Sequence, residues 1–209
     1  MLFSMHHPNN LIMPTTSNSK KTAPAKAATK KKSASPANAG AGKGDSLLQE
    51  YFVESLQDVY YAEKAITKAL PKMIGASTSS ELISAFEDHL AVTEEQITRL
   101  EQVFESIGEK AKGKKCDAIE GLIKESESVI EDTEDGTATR DVGLIMAGQK
   151  VEHYEIATYG GLVQLAQTLG HDKASGLLQQ TLDEEKETDE LLTSIAENNV
   201  NYEASEEKE

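Results

Sequence analysis

Five residues far apart in the chain combine ligand chemistry with an unexpected position: Glu63, His89, Glu152, Glu185 and Asp189. An α-helix advances about 100° per residue, so apolar residues three and four apart draw a stripe along one face. Glu63 falls in line with Leu56, Val59 and Leu70, and His89, with Gln96, in line with Leu82, Phe86 and Leu100. Glu152 aligns with Ile145, Ile156, Tyr159 and Val163, and Glu185 and Asp189 align with Leu178, Leu192 and Ala196. A carboxylate on an outward face needs no explanation, but one on the apolar stripe is carried into the core. There it must be protonated, paired with a cation or bound to a metal. No lysine or arginine lies on the four lines at that level, because Lys64 and Lys150 point elsewhere. Oxygen-rich ligands with an imidazole suit iron or manganese better than zinc, and helix-bundle cores are where dinuclear carboxylate sites of those metals are built.

The elements that must position these groups are legible from the same periodicity. No stretch after Asp45 alternates with period two for long, and the spacing predicts helices from Ser46 to Met73, from Ser79 or Ser80 to Ile107, from Thr139 to Leu169 and from Asp172 to Asn198. Asp45-Ser46 and Ser79 or Ser80 supply caps, and Gly108 and Gly170 are stops. The first and last pairs of helices are joined by short turns. The middle connection, residues 109–137, is long and carries a further short helix at Asp117–Asp132. The expected fold is therefore all-α: a ferritin-like four-helix bundle with one long crossover containing an extra helix. In antiparallel hairpins, Glu63 falls beside His89, and Glu152 beside Asp189 with Glu185 one turn away, so one layer of the bundle collects the ligands.

Charge divides the chain. The 209 residues carry a net charge of −15, yet residues 1–44 hold seven lysines and no acid, while residues 45–209 hold the other 14 basic residues and all 36 acids. The Lys/Ala/Ser/Pro-rich segment 1–45 has too little apolar surface to offset the entropy of ordering and is expected to be disordered, as is the acidic end 203–209. Flexible lysines neutralise phosphates without reading sequence, so residues 20–43 form a candidate nonspecific nucleic-acid arm, with a solvated linker as the plain alternative. Met13 is an alternative start to Met1, because His6, His7, Pro8, Asn9 and Asn10 break the apolar run that a secretory signal requires. The single cysteine, Cys116, excludes an internal disulfide and any cysteine-based zinc or iron–sulfur site within one chain. No window approaches the roughly 20 apolar residues of a membrane helix, and the expected location is the cytoplasm.

Each candidate also has a purely structural reading. A histidine on an apolar face is commonly a satisfied core residue, and Glu185 stands in the acidic run DEEKETDE, the composition of a solvated surface. Tyr60, Tyr154 and Tyr159 read as packing residues, and His153 faces a flank.

Several blocks are long enough to be specific: YYAEKAITKALPKM, HLAVTEEQITRLEQVFESIG, KCDAIEGLIKE, QKVEHYEIATYGGLVQLAQTLG and LDEEKETDELLTSIAENNVN. Together they resemble the bacterial YciE/YciF family across residues 47–202. The resemblance implies a dimeric ferritin-like bundle associated with stress responses and a ferroxidase-type oxidoreductase activity, taking Fe(II) with O₂ or peroxide. Carried onto this chain, it implies di-iron ligands at Glu63 in AEK, His89 in the HL block, Glu152 in VEHYE, and Glu185 and Asp189 in EEKETD. A di-manganese centre is compatible with the same ligands. In one place the chain departs from the family: HLAVT stands where members read HLEET, so Val92 occupies a usual glutamate position.

Overall fold

The computed structural model describes residues 46–208, and the expected basic arm and its lysines lie outside them. The described residues form helices α1 (Leu47–Ala76), α2 (Ser80–Ser106), α3 (Asp117–Asp132), α4 (Ala138–Leu169) and α5 (Asp172–Ile195). A π-helical stretch, Ala196–Val200, continues α5 into a short helix α6, Asn201–Glu206. No strand occurs among the described residues.

The helix starts are set by side chains that satisfy the first free N–H groups. Ser46 Oγ accepts from Gln49 N at 3.1 Å, Ser79 Oγ from Leu82 N at 3.4 Å, and Thr137 Oγ1 from Arg140 N at 3.2 Å. Gly170, at φ 78°, ends α4 in the left-handed conformation that glycine adopts without a Cβ clash. Helix α1 outruns its expected end at Met73 by one turn, with Pro71 inside it. So near the terminus the proline forfeits one backbone hydrogen bond without stopping the helix.

Short turns make antiparallel hairpins of α1 with α2 and of α4 with α5. The direction of the second hairpin follows from Asp141. This buried carboxylate, in the first turn of α4, accepts from Thr78 N at 2.8 Å and Ser79 N at 2.7 Å, which sets the start of α4 beside the start of α2. At the opposite end, His171 in the α4–α5 turn stacks on Phe52 and hydrogen-bonds Gln49 at 2.8 Å, both on α1. Helices α2 and α4 thus run parallel across the diagonal of the bundle, each packed against antiparallel neighbours. That order requires the long crossover between them, and α3 within that crossover packs across α1 and α4. This is the expected ferritin-like connectivity.

The chain end departs from expectation. Where the acidic residues from 203 onward were expected to be unstructured, helix continues to Glu206. Glu207 then accepts from Ala138 N at 2.7 Å and Thr139 N at 3.0 Å. The negative charge is placed at the positive end of the α4 dipole, and that contact gives the tail a reason to be ordered.

The apolar interior falls into two blocks. One is built around Ile66, Leu70, Phe86, Leu144, Ile145 and Leu192, the other around Phe52, Leu56, Leu100, Phe104, Leu162 and Leu178. Between them lies a belt of buried polar residues: Glu63, His89, Thr93, Gln96, Glu152, Glu155, Thr181 and Glu185. Packed apolar layers above and below hold this belt out of water.

Candidate metal centre

The belt is supplied by all four long helices. Glu63 comes from α1, His89 from α2, Glu152 and Glu155 from successive turns of α4, and Glu185 from α5. His89, Glu152, Glu155 and Glu185 each present a ligand atom, and these four atoms all lie within 4.8 Å of one another. His89 Nε2 is 3.3 Å from Glu152 Oε1. Glu63 sits against this group with no solvent exposure. One of its oxygens accepts from the Tyr159 hydroxyl, and the other has no hydrogen-bond partner.

Of the expected ligands, the structure brings together His89, Glu152 and Glu185, with Glu63 adjoining. Asp189 lies apart from them. It is one turn along α5, partly exposed, with Oδ2 3.3 Å from His153 Nε2 and Oδ1 accepting from Gln149 at 3.2 Å. Glu155 takes a place in the cluster that the sequence reading did not assign. Its signal was available in the three-residue spacing from Glu152, which brings the two side chains near one helix face, but at about 60° from Glu152 it falls off the centre of the apolar stripe. Val92 is half-buried one turn from His89, and Asp88 is exposed. Helix α2 therefore contributes one ligand where α4 contributes two.

The electrostatics are those of carboxylates crowded in a dry interior. Burial, then the charge of Glu185, pushes Glu63, Glu152 and Glu155 well above the ordinary carboxyl range. Burial raises Glu185 to about 7, held back by hydrogen bonds with Glu152 and Gln96. Burial alone lowers His89 to about 4, so its imidazole is neutral and offers a lone pair at neutral pH. The charge of Arg99 reaches Glu63 and Glu185, but its side chain serves as a support. It grips Glu184 through two hydrogen bonds of 2.6 and 2.7 Å and reaches Thr181 at 2.8 Å, while Gln96 Nε2 donates to both Glu184 and Glu185.

The decisive feature is what the belt leaves unsatisfied. Among the described residues, every buried side-chain nitrogen or oxygen without a hydrogen-bond partner belongs to Glu63, His89, Gln96, Glu152, Glu155 or Glu185. Both oxygens of Glu155 and both ring nitrogens of His89 are among them. Leaving one such group unpaired costs about 1–3 kcal/mol. A cation at the centre would satisfy several at once, so this buried His/Glu group has the donor chemistry of a metal site.

Residues 47–205 match the family model described as domain of unknown function DUF892. The chain belongs to this family. Within the family's span it is 51% identical over 158 residues to protein YciF of Escherichia coli strain K12, covering 75% of this chain and 95% of YciF. The crystal structure of the E. coli stress protein YciF superposes with a TM-score of 0.71 at 51% identity, covering 74% of this chain and 97% of that one. YcfI of Rhodopseudomonas palustris, provisionally described as a structural protein, gives 0.70 at 40% identity, covering 74% and 98%. Family membership and the all-α fold thus agree with the resemblance read from the sequence blocks.

Proposed function

We propose that this protein binds Fe(II) in the carboxylate belt and oxidises it with O₂ or peroxide, as a ferroxidase-type member of its family acting in a stress response. The observation that carries the reading is the convergence of unpartnered buried ligand atoms on one layer, supplied by all four long helices. His89, Glu152, Glu155 and Glu185 would hold one ion, and Glu63 would extend the set toward a second. The metal supplies the redox chemistry. Each Fe(II) gives up one electron, so two ions reduce one O₂ to H₂O₂ with the uptake of two protons, or one H₂O₂ to two waters with the uptake of two protons. The protein's part is to gather anionic oxygens around the ions, keep bulk water out through the two apolar blocks, and keep His89 neutral for ligation. Manganese suits the same donors, and a di-manganese peroxide dismutase is the alternative within this chemistry.

The test is iron content after anaerobic loading with Fe(II) and desalting, followed by absorbance on admitting air. Two ions per chain, oxidised within seconds and lost in Glu185→Ala, support the dinuclear reading. One ion points to a mononuclear centre, with Val92 as the missing ligand position. Failure to retain either iron or manganese overturns the proposal. A homodimer and a nonspecific nucleic-acid contact through residues 20–43 are the partners expected with this function. Sedimentation tests the first, and salt-dependent DNA retention with and without residues 1–44 tests the second.

A further inference from the structure

The belt has a further neighbour besides the two apolar blocks. Against its His89–Glu152 edge lies a narrow cavity of about 20 Å³, bounded by α1, α2, α3 and α4. A water-sized molecule needs about 10–15 Å³ of such space, so the cavity accommodates one small molecule. Half-buried Ala69 of α1 and Ile123 of α3 line its outer side, and His89 and Glu152 stand at its inner end. Phe86 closes one wall, and it can do so because residue 148 is glycine: a Cβ there would meet Phe86 Cε1 at 3.3 Å and Leu192 Cδ1 at 3.2 Å.

The chemistry of the lining selects what can stay there. Apart from the two inner residues, Ser126 carries the cavity's one side-chain polar group, and its hydroxyl already donates to Leu122 O at 3.1 Å. A buried water needs two to four polar partners, whereas apolar cavities stay dry and take up nonpolar guests such as xenon. Once His89 and Glu152 direct lone pairs to an ion, the walls offer water at most the Ser126 oxygen and the ring nitrogen of His89 that the ion leaves free, the minimum a buried water takes.

We propose that this cavity is a binding pocket for a small apolar gas, which delivers O₂ to the His89–Glu152 side of the metal centre. The assignment of O₂ rests on the ferroxidase reading proposed above, and the exclusion of water rests on a metal ion held by His89 and Glu152; the space itself rests on the cavity and its lining. It also gives α3 a role, since the crossover helix supplies the outer wall.

Crystals of the full chain loaded anaerobically with Mn(II), a redox-quiet occupant under those conditions, should be pressurised with xenon. One xenon peak is expected between Ala69, Phe86 and His89, and it should vanish in Ala69→Leu, whose added carbons fill the outer end. Ile123→Phe is the second variant should the first fail to fold. In solution, Ala69→Leu should retain wild-type metal per chain, yet oxidise Fe(II) at least about fivefold more slowly with O₂. An ordered water in place of xenon, or xenon bound but an O₂ rate unchanged in the filled variant, overturns the proposal. Xenon bound in a protein that never oxidises iron sinks the ferroxidase reading instead, and leaves the pocket standing as a gas site without the O₂ role.

Discussion

At the scale of single residues, Glu155 and Asp189 make opposite cases. Both carboxylates lie within one turn of an expected ligand, but Glu155 is 1% exposed with both oxygens unpartnered, whereas Asp189 is satisfied by His153 and Gln149. Glu155→Gln is expected to weaken Fe(II) or Mn(II) retention at least about tenfold, with Asp189→Asn changing it less than about threefold; titration of the metal-free protein with Mn(II) measures both. Glu155→Leu should lose metal while making the metal-free protein more stable by about 1–3 kcal/mol in urea unfolding. It removes an unsatisfied buried acid and keeps the volume apolar. A less stable metal-free Glu155→Leu would mean that this carboxyl is already paired.

At the scale of elements, two contacts hold helices in the register that the centre needs. Arg99 of α2 fixes Glu184 of α5, and Gln96 bridges from there to Glu185, so the ligand's orientation depends on a network of polar partners. Outer partners of this kind are typically worth 10–100-fold in metal affinity. Arg99→Ala should cost about that much in Mn(II) affinity with helical circular dichroism unchanged; an unaltered affinity would show that α5 holds Glu185 unaided. Asp141 ties the start of α4 to the α1–α2 turn through two charge-assisted bonds. Asp141→Ala should cost about 2–4 kcal/mol of unfolding free energy, read from chemical denaturation.

At the scale of the whole molecule, a dry acidic belt links folding to pH. The belt carboxyls titrate above their ordinary value near 4.5, Glu185 at about 7, so folding favours their protonated forms. Their contribution to stability is complete below the ordinary value and is lost as pH rises through the raised one. His89 acts with the opposite sign: lowered to about 4 from 6.5, it contributes fully above 6.5 and loses that contribution as pH falls toward 4. The two effects oppose each other between about 4.5 and 6.5, and only the carboxyls act above it. The metal-free protein is therefore expected to melt lower at pH 8.5 than at pH 6.5. Saturating Mn(II) should remove most of that difference, since ions replace the protons and binding releases them. Calorimetric titrations in two buffers of different ionisation enthalpy count those protons, and a melting temperature that rises with pH would contradict the belt as described.

The sequence by itself determined the helices, the caps of the first two, the long crossover and the family, because each is written in local periodicity or in unbroken blocks of residues. It also placed Glu63, His89, Glu152 and Glu185 on inward faces, since a carboxylate on an apolar stripe is visible at 100° per residue. It could not separate Glu185 from Asp189, which share a face one turn apart. Nor could it admit Glu155, which lies about 60° from Glu152, or see that Glu207 closes the start of α4. Those outcomes depend on axial register and on which neighbour fills the space opposite a side chain, and contacts between residues 30 to 120 positions apart decide both. Periodicity gives the direction in which a group points. Whether it meets a hydrogen-bond donor, another carboxylate or the pocket beside His89 is settled only when the four helices pack.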